Sequence, residues 1–316
     1  MAIMATNVLL TVDTELIWRG SLSRTDWEPL FAASYDPAGV GVPYQLRVLA
    51  EHNLKACFFV DPTPAYCFGI DPIKRMVAPI LEAGQDIQLH LHPQWASLVD
   101  GIPKRSFELC DYSEDEQWEL IQRGIDLLVE AGAPRPIAFR SGSYAANDAT
   151  MRAAARAGLR YESSHNGAYH PWPSGISLPV TQIAPVRHEG LIELPVSVIR
   201  TPTGLRTLQI CAVSLGEMRA ALIHAALQGH ALVNLVSHSF ELSARNGMRP
   251  NRVHLGRFKG LCRWLAGNRD RLPTRHCADL DLLACEGTAE PLPHNALRTL
   301  SRQAGQLWSN LVEERG

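Results

Sequence analysis

The sequence predicts an α/β fold built around a mostly parallel sheet, and three observations carry that prediction. Short apolar runs rich in Val, Ile, Leu and Phe alternate along the chain with segments of helical period. The segment at 114–131 opens with a capping box, in which Ser113 and Glu116 stand three apart ahead of an apolar face. Within the apolar runs the polar residues share one parity, as residues lining an interior do.

Taken in order, residues 8–13 read as the first strand. Leu10 and Val12 fall on one face, and Thr11, Asp13 and Glu15 on the other. A helix at 43–51, a strand at 55–60 and a helix at 73–83 follow. The strand at 86–92 sets Leu89 and Leu91 against Gln88, His90 and His92. In the helix at 114–131, Trp118, Ile121, Ile125, Leu128 and Val129 fall on one face. Residues 137–139, 191–196 and 231–238 read as strands, and 146–157 and 215–228 as helices. In the last strand Asn234, Val236 and His238 share a face. From about residue 272 the pattern weakens, and 296–314 reads as a terminal helix packed on the outside. With no internal repeat and no low-complexity linker, residues 1–316 are expected to form one domain, on which 272–316 packs as a C-terminal extension.

Composition narrows the function. Thirty Lys and Arg against 32 Asp and Glu, with no run of like charge, gives no sign of nucleic acid or of an anionic membrane as partner. The first 16 residues lack a basic region followed by a long apolar stretch, so neither a signal peptide nor a membrane span is expected. Seven cysteines, odd in number and without C-x-x-C spacing, suit a reduced cytoplasmic protein.

The chemistry lies at the strand ends. LLTVDTEL places Asp13 and Glu15 two apart, and DIQLHLHPQW does the same with His90 and His92. Residues two apart on a strand share a face, so two carboxylates and two imidazoles can converge, the donor types that a catalytic divalent ion needs. NLVSHSFEL brings His238 to a third strand end. Parallel α/β folds gather their sites at the carboxyl ends of their strands.

In this order, LLTVDTE, KACFFV, GQDIQLHLHP, AFRSGSY and NLVSHSFEL resemble the motifs of the polysaccharide deacetylase family, metal-dependent N-deacetylases of the carbohydrate esterase type. The resemblance runs from about residue 7 to about 240. It implies a distorted parallel (β/α) barrel of about seven strands. It further implies hydrolysis of an N-acetyl group, with a divalent metal, most simply Zn2+, held by Glu15, His90 and His92. Asp13 would be the catalytic base toward the attacking water, with Arg140 holding it ionised and oriented; exchanging the roles of Asp13 and Glu15 is the alternative. His238 would protonate the departing amine. The turn after AFR would shelter the oxyanion, with Gly142 allowing close approach. Two spacings depart from the family's usual pattern: its acids are adjacent, and its histidines stand four apart, which from His90 would reach Gln94.

Around these residues, Trp95, Gly142, Ser143, Tyr144 and His165 are candidates for substrate contact. The aromatic pair can stack on a sugar or simply pack at the rim. His165 and His170 lie in SSHNGAYHPWPSG, a loop long enough to shape a pocket. The expected substrate is an intracellular amino sugar, saccharide or glycoconjugate precursor. Three rivals stand beside this reading: a cyclic-amide hydrolase of the allantoinase kind on the same fold, a carbohydrate-binding relative without metal, and a two-histidine, one-carboxylate iron site. The iron site usually belongs to all-β double sheets, against which the helical segments count.

Overall fold

The computed structural model describes residues 5–17, 26–98, 107–281, 283–285 and 287–314. Strands β1 (Asn7–Thr14), β2 (Cys57–Val60), β3 (Asp86–Leu91), β4 (Ala138–Ser141), β5 (Tyr161–Glu162), β7 (Leu191–Glu193) and β10 (Leu232–His238) form one sheet in the order β10-β1-β2-β3-β4-β5-β7. All seven run parallel, and β6 (Val186–His188) adds an antiparallel edge on β7. A small hairpin, β8 (Val198–Thr201) and β9 (Gly204–Thr207), stands apart.

The sheet curls until its two ends meet, and irregular chain bridges the seam. Ser197 N donates to Asn234 O at 3.0 Å, and Val236 exchanges backbone bonds with Leu208 and Ile210 at 3.1 Å each. The architecture is thus a distorted parallel barrel with seven parallel strands. Its parallel sheet and covering helices remove the all-β setting in which the iron reading belongs.

Strand parity divides the apolar residues into two clusters. Val8, Leu10, Val12, Phe58, Val60, Ile87, Leu89, Leu91 and Phe139 point outward into the layer beneath the helices. Leu9, Cys57, Phe59, Ala138, Tyr161, Leu194 and Leu232 fill the amino-terminal half of the barrel, where Cys277 and Leu280 join them from below. The chain at 273–275 reaches that position by running beside β1, with Val8 N on Pro273 O and Arg275 N on Val8 O, both at 2.9 Å.

The helices Val42–Glu51, Asp71–Glu82, Glu114–Glu130, Asp148–Arg156 and Leu215–Gln228 match the expected periods. The Ser113–Glu116 capping box is formed, although Val129, assigned to the apolar face, is 47% exposed, and Leu127 is buried beside Leu128. The helices Glu28–Tyr35 and Arg252–Ala266 and the short strands β5, β6, β8 and β9 are additions to the expected set. No helix among the described residues is long and apolar enough to cross a membrane.

Glu162 and Glu193 are register partners on β5 and β7, both fully buried. Glu162 accepts from Ser164 N, and Glu193 from His165 N. Burial, and then the neighbouring Glu162 carboxylate, push the Glu193 carboxyl well above its ordinary range, so Glu193 carries the pair's proton. Because the folded-state value is raised, this group's stabilising contribution is complete below the unfolded pKa of about 4.3 and drains away as pH rises. Glu193→Gln, which needs no proton to donate to Glu162, should therefore gain on the wild type as pH rises, by up to about 1.4 kcal/mol per pH unit. Urea unfolding at about pH 5 and about pH 8 measures this, and an equal difference at both would contradict the shared proton.

Candidate active site

Parity and register assemble the site. Asp13 on β1 lies opposite His238 on β10 and Phe59 on β2, while His90 on β3 lies opposite Arg140 on β4. All point into the barrel near its carboxyl end, above the apolar plug.

Arg140 is fully buried with its guanidinium on the face of Phe59, 4.4 Å from the ring centre. Every arm is engaged. Nη1 donates to Asp13 Oδ1 at 2.7 Å and to Thr11 Oγ1 at 2.9 Å, Nε to Ser163 O at 3.0 Å, and Nη2 to Ser163 Oγ at 2.9 Å and Asn234 Oδ1 at 3.4 Å. Burial works against the charge, but Asp13 more than compensates and raises the guanidinium's pKa. The guanidinium therefore stays charged, with Asp13 Oδ1 held by it and Oδ2 turned toward His238 Nε2, 3.9 Å away.

Glu15, His90 and His92 form a second group whose donor atoms all lie within 4.8 Å of one another. His90 Nε2 is 3.5 Å from Glu15 Oε2, and His92 Nε2 touches the same oxygen. His90 Nδ1 sits 2.7 Å from the carbonyl of Arg140. A carbonyl only accepts, so Nδ1 carries a proton, and Nε2 is the nitrogen turned toward Glu15, the orientation that a metal-binding imidazole needs. Burial pulls the His92 imidazole down, yet the Glu15 carboxylate outweighs it and lifts its pKa to about 9. For Glu15, burial raises the carboxyl pKa, but His92 and His90 outweigh it and hold the value well below the usual range. Two imidazoles and one carboxylate, brought together at the ends of strands β1 and β3, fit a divalent cation with coordination positions to spare.

The turn after β4 shapes the mouth. A Cβ on Gly142 would come within 2.4 Å of the His92 ring, so only glycine admits this imidazole. Ser143 and Tyr144 follow at φ 56° and 59°, two non-glycine residues in the left-handed region, at a cost of about 1–2 kcal/mol each. Ser143 is exposed and its side chain bonds Glu108. Tyr144 is buried and stacked on Tyr169 with centroids 5.7 Å apart. Burial, then the Asp13 carboxylate, keep its phenol protonated.

His238 is fixed from behind. Gln209 Nε2 lies 2.7 Å from Glu241 Oε1, an acceptor, which sets the amide's orientation, and the same nitrogen is 3.3 Å from His238 Nδ1. Glu241 also accepts from His238 N and Cys211 N, and Gln45 Nε2 donates to His238 O. Nδ1 therefore accepts, and His238 carries its proton on Nε2, facing Asp13.

Two expected substrate contacts take other places. Trp95 has no exposed surface: it lies in the core, edge-on to Phe68 at 5.8 Å, and offers no face to a sugar. His165 is also fully buried, its Nε2 3.0 Å from Pro179 O, and burial lowers its pKa to about 4. It pins the loop after β5 and does not line the mouth. Residues that the sequence reading passed over complete the site: Thr11, Ser163 and Asn234 around Arg140, Gln209 and Glu241 behind His238, and Asp61 with Thr63 behind His92. Asp61 continues the inward parity of Cys57 and Phe59, a signal present in KACFFVD. It accepts from Thr63 N, while Thr63 Oγ1 bonds His92 O at 3.0 Å.

No family model and no curated protein matches the chain. Among solved structures, it is similar to a protein from Mycobacterium smegmatis provisionally described as a polysaccharide deacetylase, with 20% identity and a TM-score of 0.56 over 91% of this chain and 94% of that one. A 4-alpha-glucanotransferase from Thermococcus litoralis superposes with a TM-score of 0.50 and 8% identity, over 87% of this chain and 40% of that one. A family 4 carbohydrate esterase from Streptomyces lividans, in complex with acetate, gives 0.43 and 13% over 91% and 98%. The chain has the polysaccharide deacetylase fold.

The cluster predicts its own metal behaviour. Glu15→Ala and His90→Ala should each lose bound zinc in elemental analysis, whereas Asp13→Asn should keep it. Gly142→Ala, by displacing the His92 ring, should weaken zinc binding by roughly 10–100-fold. Equal zinc in wild type, Glu15→Ala and His90→Ala would remove this cluster as the metal site.

Proposed function

We propose that the chain is a metal-dependent hydrolase that removes an N-acetyl or related acyl group from an amino sugar, saccharide or glycoconjugate precursor in the cytoplasm. One observation carries this reading: the Glu15–His90–His92 cluster and the Asp13–Arg140 pair share one barrel mouth, joined through the carbonyl of Arg140 on His90. The fold shared with the deacetylase-type structure of Mycobacterium smegmatis supports it. Seven cysteines, odd in number and without C-x-x-C spacing, suit a reducing compartment.

A divalent cation held by Glu15, His90 and His92, with zinc the ion this donor set suits best, would polarise the acyl carbonyl and make water more acidic. Asp13, held through Oδ1 by Arg140, takes the water proton on Oδ2 as the water oxygen attacks the acyl carbon. When the C–N bond breaks, the amine nitrogen needs a proton. His238 bears its proton on Nε2 while Gln209 occupies Nδ1, so it hydrogen-bonds without surrendering that proton. Asp13 therefore returns the proton it took, and His238 Nε2–H orients the exchange. This shifts the acid role that the sequence resemblance gives His238 onto Asp13. The products are the carboxylic acid and the free amine.

Asp13→Asn should lower kcat for acetate release from N-acetyl sugars by about 10² or more while zinc remains bound. His238→Gln, which keeps an N–H donor but cannot shuttle a proton, should retain several times the activity of His238→Ala. Equal losses in the two His238 variants would restore the acid role to that residue.

A further inference from the structure

The floor of the barrel, at the end opposite the mouth, carries a second group of metal-ligating side chains. Cys57 opens β2 and Asp86 opens β3, and as register partners in a parallel pair their side chains leave the sheet on the same side. That side is the interior: Cys57 belongs to the apolar plug, and Asp86 shares the parity of Gln88 and His90. Cys277 arrives from the C-terminal extension, just after the stretch that runs beside β1. We propose that Cys57, Asp86 and Cys277 form a structural zinc site that staples this extension to the barrel floor. The site does not depend on the reaction at the mouth.

Distances carry the assignment. One donor atom from each of the three residues lies within 4.8 Å of the other two, and Cys57 Sγ stands 3.7 Å from Cys277 Sγ. Two sulfurs bound to zinc at about 2.3 Å with a tetrahedral angle between them are about 3.7–3.8 Å apart, so these two can share an ion without moving. A disulfide would require them to close to about 2.05 Å. Asp86 Oδ2 accepts from Cys277 N at 2.8 Å, and Oδ1 accepts from Gln88 Nε2 at 2.9 Å. These bonds orient the carboxylate and leave each oxygen a free lone pair. Arg275 O, 3.7 Å from Cys57 Sγ, and water are the donors open to a fourth position.

Charge points the same way. Asp86 forms no ion pair among the described residues, since Lys55 pairs with Asp279 at 2.7 Å and Arg275 Nε donates to Asn7 Oδ1 at 3.0 Å. An inward carboxylate beside two thiols, with no cation of the chain to answer it, is a donor set that a divalent ion completes. Binding releases the two thiol protons and leaves zinc-bound thiolates. Both cysteines are fully buried and Asp86 is half-buried, so the ion's path from solvent lies on the carboxylate side. Leu9 and Phe59 are among the apolar residues that fill the barrel between this floor and the mouth. The chain between the helix Arg252–Ala266 and the 3-10 turn Cys277–Leu280 contains no helix or sheet strand, and a cross-link to the barrel would fix its path.

Elemental analysis and cobalt substitution of the full chain, kept reduced, test the proposal. After reconstitution with zinc and removal of loose metal, the wild type should hold two equivalents and Glu15→Ala, which empties the mouth, one. With Co2+ in place of zinc, Glu15→Ala should show thiolate-to-cobalt charge-transfer absorption in the near ultraviolet, which the carboxylate and imidazoles of the mouth cannot give. Adding Cys57→Ala or Cys277→Ala should abolish both the band and the remaining equivalent. Asp86→Asn keeps a carbonyl oxygen for Cys277 N, and in the same background it should weaken zinc binding by about 100-fold or more, beyond the roughly 10–100-fold of an outer partner. Zinc should raise the melting temperature of Glu15→Ala and leave that of Glu15→Ala/Asp86→Asn nearly unchanged. Circular dichroism of the metal-free variants checks their folding, and Asp86→Asn decides if the cysteine variants unfold. No zinc in folded Glu15→Ala, cobalt bound without the thiolate band, or undiminished zinc affinity in Asp86→Asn would overturn the proposal. A single equivalent lost with Glu15→Ala overturns the floor site and leaves the mouth, whereas a single equivalent lost only with the cysteines does the reverse.

Discussion

A guanidinium buried inside a barrel is the constraint around which this molecule is organised. Arg140 cannot give up its charge, and an isolated charge at that depth would be prohibitive. Five acceptors from three other strands or their extensions answer it: Thr11 and Asp13 from β1, two oxygens of Ser163 after β5, and Asn234 from β10. The Phe59 face beneath separates this polar layer from the apolar plug. Removing one member of such a pair costs about 3–5 kcal/mol, because the other is left charged and alone. Stability and reactivity therefore coincide here: the interactions that make the charge tolerable also fix the orientation of Asp13. Through its own carbonyl the same residue orients the His90 ring. One residue sets the geometry of both the metal-ligand group and the proton-transfer group.

What could be read from the sequence was what period-2 parity controls. Asp13, Glu15, His90 and His92 were legible because each extends a strand whose other face is plainly apolar, and i, i+2 spacing leaves one choice of side. Arg140 was legible only through motif order, since a four-residue strand carries little periodicity. Gln209 and Glu241 lie outside regular strands, where no period marks them, and their role depends on a seam closed by irregular chain. The two-residue strand β5 is shorter than any pattern can register. Trp95 and His165 were misplaced for a common reason. A residue type suited to binding sugar is equally suited to the core, and only burial distinguishes the two. The long helix Arg252–Ala266 escaped notice although Asn251 caps it, because its apolar positions are interrupted by arginines.

The i, i+2 spacing of the histidines has structural consequences of its own. Two imidazoles on one face of one strand stand close together, here with centroids 4.9 Å apart and planes at 85°. His92 lies just past the last paired residue of β3, so its backbone is no longer held by the ladder. Other groups hold it instead: Thr63 bonds its carbonyl, and Gly142 leaves room for its ring. Asp61, one of its oxygens bonded to Thr63, places a second carboxyl near the ring. A histidine placed four residues on from His90 would arrive from the following turn and need none of these. The split acid pair follows the same logic on β1, where Thr14 ends the strand with its hydroxyl on the carbonyl of Val12 and sends Glu15 inward beside Asp13. Both pairs thus use a single strand end to deliver two groups, and in each case the residue nearer the sheet is the better anchored. On physical grounds the two roles divide accordingly. Asp13, locked by Arg140 inside the ladder, suits a proton carrier whose position must not vary. Glu15 and His92, beyond the ladder, retain the freedom to adjust their donor atoms to an ion.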